Sequence, residues 1–252
     1  MNVGILLSVR EKATRLPGKV LLPLGKYNIT EHLIRRLLES QNADKVIVST
    51  SIDPRDGVLV NIAKDVGVGY YKGSEDDKLI RYRDTARYFE FDFVVIVDGD
   101  DPFCSVEHID RIIEYAQNNP VDYIQFEGLP LGATGFGVSV NALDRICREK
   151  NVENTEIWAH LFTENDSFNS VSLKESDHLY NRPDVRMTLD YPEDYEFFKT
   201  VINALQKQNK EARFDVIMQY LNEHPNISEI NQSVQSKYED HFVKSRGGHY
   251  DC

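Results

Sequence analysis

Met1 to Leu24 reads MNVGILLSVREKATRLPGKVLLPL, and its two apolar runs, Val3 to Leu7 and Val20 to Leu24, bracket a cationic loop. The loop carries Arg10, Lys12, Arg15 and Lys19 and is bent by Pro17-Gly18. The first thirty residues hold five Lys/Arg against one acid, Glu11, in a chain whose net charge is -12. A buried strand delivering a cationic, glycine-containing loop is how α/β folds receive polyphosphates. On charge alone, solvated surface cations are the competing reading.

The loop is not a Walker A loop, because Val20 rather than Ser or Thr follows Gly18-Lys19, and no G-x-G-x-x-G follows the strand. Beyond it, Thr30 is placed to cap a helix running to about Ser40, with Leu33, Ile34, Leu37 and Leu38 on one face. Lys45 to Ser51 is a second β-rich run, closed by the turn residues Asp53 to Gly57. A helix over Val58 to Asp65 and a strand near Val68 to Tyr71 come next. Phe91 to Val97 (FDFVVIV) gives the strongest buried-strand signal. Ser105 is placed to cap a helix stopped near Asn118-Asn119-Pro120; Val121 to Phe126 reads as a strand and Asn141 to Lys150 as a helix. Val185 to Tyr191 reads as a strand feeding a helix begun by Pro192 and lasting to about Gln208. Asp215 is placed to cap a last helix that Pro225 ends. This alternation predicts a three-layer α/β/α fold around a mostly parallel sheet, with ligands beyond the carboxyl ends of the strands.

The Phe91 strand runs into Asp98-Gly99-Asp100-Asp101-Pro102. Carboxylates so close repel one another unless a cation neutralises them, and an oxygen-rich cluster suits Mg²⁺. A plain acidic turn is the alternative. Gly128 to Gly137 packs four glycines into ten residues and reads as a flexible loop. Arg182 and Arg186 flank Pro183 as a guanidinium fork for a substrate carboxylate, or as surface ion-pair residues.

Arg10 with the run Thr14-Arg15-Leu16-Pro17-Gly18-Lys19 resembles the CTP-binding signature of the sugar-acid cytidylyltransferases. The likeness is closest to the spore-coat-polysaccharide type and to 3-deoxy-manno-octulosonate cytidylyltransferase. Three later segments resemble the same family: Gly73-Ser74 with Asp77, Leu79 and Arg81-Tyr82; Gly99-Asp100 with Pro102; and Leu189-Asp190-Tyr191-Pro192-Glu193-Asp194. The resemblance, over roughly residues 1–200, implies a Rossmann-like nucleotidyltransferase fold. It implies transfer of CMP from CTP to a 2-keto-3-deoxy sugar acid of the octulosonate or nonulosonate type, with loss of pyrophosphate, in surface polysaccharide or glycan biosynthesis. Arg10, Arg15 and Lys19, with Gly18, would then receive the triphosphate. Gly73, Ser74, Asp77, Arg81 and Asp98 would lie near the nucleotide, and Asp100 and Asp190 would hold Mg²⁺. An acid and a histidine near Glu156 to His160 approach the sugar acid in that family, which singles out His160. A homodimer is implied as well. Two departures stand out: Val9 replaces a usual alanine, and Lys12-Ala13 replaces a Gly-Ser, so a cation stands where backbone amides would approach phosphate. Two rival readings are a metal-dependent glycosyltransferase using Asp98-Gly99-Asp100 as its Asp-x-Asp, and a CTP-binding relative without turnover.

The 252 residues allow one α/β domain, read here as a nucleotidyltransferase domain over 1–204 with a helical extension over 205–252. The last ten residues, with their Gly247-Gly248 break, are expected to be loosely ordered. A pI near 5.1 argues against nucleic-acid or membrane-surface partners. Three widely spaced cysteines (Cys104, Cys147, Cys252) fit reduced thiols rather than a disulfide or zinc framework. The apolar stretch Val3 to Val9 is too short to span a membrane and lacks a signal peptide's flanks, so a cytoplasmic enzyme is expected.

Overall fold

A computed structural model describes residues 1–240. In chain order the elements are β1 (Val3–Ser8), the two-residue strands β2 (Pro23–Leu24) and β3 (Tyr27–Asn28), α1 (Ile29–Leu37), β4 (Lys45–Ser51), α2 (Gly57–Val66), β5 (Gly69–Gly73), α3 (Lys78–Tyr88) and β6 (Phe93–Asp98). The second half adds α4 (Val106–Asn118), β7 (Tyr123–Glu127), β8 (Phe136–Ser139), α5 (Val140–Glu149), α6 (His160–Thr163), β9 (Ser170–Lys174), α7 (Pro192–Lys207), α8 (Phe214–Glu223) and α9 (Pro225–Ser228).

Seven strands form one sheet in the order β5-β4-β1-β6-β8-β7-β9, and all its pairings are parallel except those of β8. Alternation along β1 feeds two cores. Val3, Ile5 and Leu7 pack with α1, α2 and α4 on one face, while Leu6 packs with α3 and α5 on the other. A third core joins α7 and α8 to Leu24, Ile29, Phe103 and Met187. Each buried Leu, Ile, Val or Phe contributes roughly 1.5–3 kcal/mol, so the three-layer α/β/α architecture is held chiefly by these apolar faces. Leu205 and Ile217 share that third core, and the expected boundary after residue 204 falls within α7. No helix among the described residues is long and apolar enough to cross a membrane.

Four local expectations are corrected. Asn28, not Thr30, caps α1 by accepting from the Glu31 N–H, because the Thr30 hydroxyl donates instead to the Val20 carbonyl. Asp215 lies inside the first turn of α8, whose N-cap position is Arg213, and pairs with that arginine. The glycine-rich stretch is not all loop: Gly137 lies in β8, where a Cβ would come within 2.5 Å of Ile112 and 2.7 Å of Phe93. Only glycine lets that strand pass between β6 and α4. Finally, Val185 to Tyr191 joins no strand among the described residues. Its Met187 and Leu189 N–H groups donate to the carbonyls of Leu131 and Asp100, both at 2.7 Å. Gly247-Gly248 and the expected loose end lie outside the described residues.

Candidate functional site

The site is assembled where β1 and β6 end together, with Ser8 opposite Asp98 in register. The 9–18 loop leaves β1 and is tied down by buried Asp56, whose carboxylate accepts from the Glu11 N–H at 2.7 Å and from the Thr50 and Ser51 hydroxyls. Gly18 takes a left-handed conformation (φ 66°), which begins a short 3-10 turn at Lys19. That turn sends the Lys19 ammonium into a cleft of about 890 Å³ at the carboxyl ends of the strands.

Lys19 Nζ donates to Asp100 Oδ2 at 2.6 Å, to the Leu189 carbonyl at 2.7 Å and to Asp190 Oδ1 at 2.9 Å. Burial works against its charge, yet Asp100 and Asp190 hold its pKa above the usual lysine value. Arg15 Nη2 donates to Asp190 Oδ1 at 2.5 Å, while its buried Nη1 has no acceptor among the described residues. Across the cleft, Arg10 reaches the Glu75 carbonyl at 2.7 Å and Glu156 Oε2 at 2.5 Å. Lys78 lies 3.0 Å from Glu156 Oε1 and 3.7 Å from Asp98 Oδ1. Burial opposes the Lys78 charge, but Asp98 and Glu156 drive its pKa well up. Burial would raise Glu156, yet Lys78 and Arg10 hold it low.

Oxygens of Asp98, Asp100 and Asp101 lie within 4.8 Å of one another. Burial and the neighbouring Asp100 and Asp98 carboxylates push Asp101 well above the usual range. Burial also raises Asp98, against the pull of Lys78, whereas Lys19 outweighs burial and keeps Asp100 low. Hard carboxylate oxygens crowded to the point of mutual repulsion fit a divalent cation such as Mg²⁺ or Mn²⁺.

Arg10, Arg15, Lys19, Asp98, Asp100, His160 and Asp190 therefore all line one cleft. Gly18 shapes the turn beneath it. Gly73, Ser74, Asp77 and Arg81 stand behind its wall. Asp77 caps α3 at the Ile80 N–H and pairs with Lys150. The Arg81 guanidinium is spent on the Ser74 carbonyl at 2.7 Å and Ser8 Oγ at 3.3 Å. These residues fix the β5–α3 loop from behind.

The two arginines flanking Pro183 do not form a fork. Arg182 pairs with Asp184 away from the cleft. Arg186 is 3% exposed and bonds Asp194 Oδ1 (2.9 Å), Asp194 Oδ2 (3.2 Å) and Asp190 Oδ2 (3.1 Å). It braces Asp190 from behind, and Asp194 also accepts from the Asp190 and Tyr191 N–H groups at 2.9 Å each.

Sequence reasoning missed Lys78, Tyr238 and Glu239, which also line the cleft. Lys78 left a signal: a lysine in the first turn of a helix opposes the macrodipole, and its side chain points back past the N-terminus toward the loops.

The chain matches the cytidylyltransferase family over residues 4–242. It is 29% identical to an uncharacterized protein of Methanocaldococcus jannaschii, over 94% of this chain and 97% of that one. It is 28% identical to the spore coat polysaccharide biosynthesis protein SpsF of Bacillus subtilis, over 79% and 86%. It is also 29% identical to 3-deoxy-manno-octulosonate cytidylyltransferase of Pseudoalteromonas atlantica, over 45% of each chain. A solved cytidylyltransferase from Leptospira borgpetersenii shares the fold with a TM-score of 0.82 and 24% identity, covering 90% of this chain and 96% of that one. By sequence match over nearly its whole length, on a fold whose strand ends gather the signature residues, the chain belongs to the cytidylyltransferase family.

Proposed function

We propose that the protein transfers CMP from CTP to a hydroxyl of a 2-keto-3-deoxy sugar acid, releasing pyrophosphate, with Mg²⁺ as the metal. The observation that carries this reading is the convergence of Arg15, Lys19, Asp100 and Asp190 at the carboxyl ends of β1 and β6. The names of the octulosonate and spore-coat relatives support an acidic sugar and a polysaccharide setting.

Arg10, Lys12, Arg15 and Lys19 supply the positive charge that a triphosphate requires, and Arg15 Nη1 has no acceptor among the described residues. Asp100 and Asp190, which share the Lys19 ammonium, would hold Mg²⁺, with Asp98 and Asp101 clustered beside Asp100; when bound it neutralises phosphate charge and acidifies an attacking hydroxyl. In the transfer the acceptor oxygen bonds the α-phosphorus, the bond from that phosphorus to the β-phosphate bridging oxygen breaks, and the hydroxyl proton leaves to solvent. Pyrophosphate departs toward the cationic loop. Fixed geometry and fixed charge supply the rate, since the chain needs no covalent intermediate for a direct in-line displacement. The homodimer implied by the resemblance belongs to this reading and is checked by light scattering.

The test is calorimetric titration of CTP, UTP, GTP and ATP with Mg²⁺. CTP binding at least about tenfold tighter than the others is the expected result. Equal affinities, or none, would remove CTP from the reading.

A further inference from the structure

The cleft is asymmetric in charge. Its lining cations, Arg10, Lys12, Arg15, Lys19 and Lys78, all come from the first third of the chain. Among the described residues, the lining from 131 onward includes no Lys or Arg: beside apolar and small residues it offers Asn154, Glu156, His160, Thr188, Asp190, Tyr238 and Glu239. The triphosphate is assigned to those cations; Arg15 and Lys19 bond one oxygen of Asp190 and Arg186 the other, so the cleft wall beyond Asp190 is left for the acceptor.

The wall beyond Asp190 is closed by residues that return to the cleft after α9. Asn231 is fully buried, and its amide donates to Asp194 Oδ1 at 2.8 Å and to the Arg186 carbonyl at 3.2 Å. Val234 is fully buried. Gln235 Oε1 accepts from Arg186 Nη1 at 3.3 Å, and Gln235 Nε2 donates to Glu239 at 2.9 Å. Arg186 lies 4.6 Å from the Tyr238 ring centre and 5.9 Å from that of Tyr191. The arm is thus anchored to the arginine that braces Asp190, and its Tyr238 and Glu239 line the cleft.

We propose that this arm, through Tyr238 and Glu239, is the acceptor-binding wall, contacting the hydroxyl-bearing carbon chain of the sugar rather than the nucleotide. The inference rests on the cytidylyltransferase reading and adds to it the element that selects the acceptor. The acceptor's carboxylate faces the cationic side, and its polyol tail meets an aromatic ring and a carboxylate. Sugar C–H faces pack on aromatic rings, and carboxylates accept from sugar hydroxyls.

The test uses the full chain, wild type and the variants Tyr238→Phe, Tyr238→Ala and Glu239→Gln. CTP affinity is measured by calorimetry with Mg²⁺, and acceptor KM by pyrophosphate release with a panel of 2-keto-3-deoxy sugar acids. Tyr238→Ala is expected to raise the acceptor KM about tenfold while leaving CTP affinity within about twofold. Tyr238→Phe, which keeps the ring against Arg186, should move the acceptor KM by only about two- to threefold, and Glu239→Gln by a similar amount. A merely structural arm would lower kcat or both affinities together, and that result would overturn the proposal. Tight CTP binding with no turnover of any acid in the panel would also overturn it, while leaving the nucleotide reading intact. Failure of the wild type to bind CTP would sink both.

Discussion

Replacing Arg186 with Met tests how the site is held together. The guanidinium is buried and makes its three bonds to Asp190 and Asp194, whose side chains are 2% and 0% exposed. Removing one partner of a buried ion pair typically costs about 3–5 kcal/mol, because the other charge is left in a low-dielectric site. Here the loss should fall near the low end, about 3 kcal/mol. Asp190 keeps Arg15 and Lys19, and Asp194 keeps Asn231 and two backbone N–H groups. For a chain of this size each kcal/mol lowers Tm by roughly 2–4 °C, so a fall of about 6–12 °C is expected. The assay is urea unfolding with a parallel thermal melt. Arg186→Lys should recover part of the loss, since an ammonium restores charge but not the fork. The double variant with Asp194→Asn should lose about 1–3 kcal/mol less than the sum of the singles. If Arg186→Met stays within about 1 kcal/mol of wild type, Arg186 is not what secures Asp190.

Other consequences are readily checked. Lys19→Met should lower kcat/KM for pyrophosphate release by about 10²–10³-fold, the scale of one preorganised charge at a transition state, and a circular-dichroism melt would show whether the fold survives. Mg²⁺ or Mn²⁺ should raise Tm in a concentration-dependent way that EDTA reverses and Asp100→Asn abolishes; an unchanged melt in wild type would count against a cation at this cluster. His32 is half-buried beside Arg36, and both desolvation and that charge lower its pKa from 6.5 to about 3. The unfolded chain then binds an extra proton between those values, so this contribution to stability is present above pH 6.5 and is lost as pH falls toward 3. His32→Gln should flatten the stability–pH curve in that window.

Short-range patterns were legible because their physics is local. The Gly18 turn into Lys19, the Asp98-to-Pro102 turn and the Ser105 cap each shape the backbone where they are written, even though Arg15 and Lys19 then reach Asp100 and Asp190 far along the chain. The Val185-to-Tyr191 segment was half legible. Its period-two pattern is real, since Val185, Met187 and Leu189 face the third core while Thr188 and Asp190 face the cleft. The missing strand partner is a tertiary fact: the segment bonds to the loops at Leu131 and Asp100 instead. Arg186 misled because burial decides whether an arginine binds a substrate or braces a neighbour, and a sequence does not show burial. Glu156 and Tyr238 join the site from 58 and 140 residues beyond Asp98, respectively, so only the folded chain brings them there. Gly137 could be read as loop until the closeness of Ile112 and Phe93 was seen.

Transfer of CMP from CTP in this cleft is read out by pyrophosphate release. Wild type, Asp100→Ala and Asp190→Asn would be assayed with CTP, Mg²⁺ and a panel of 2-keto-3-deoxy sugar acids, with the CMP-sugar followed by mass spectrometry. Pyrophosphate and CMP-sugar should form in equal amounts with at least one acid, and each variant should lose at least about 10²-fold. Tight CTP binding without either product, or full activity in Asp100→Ala, would contradict CMP transfer in this cleft.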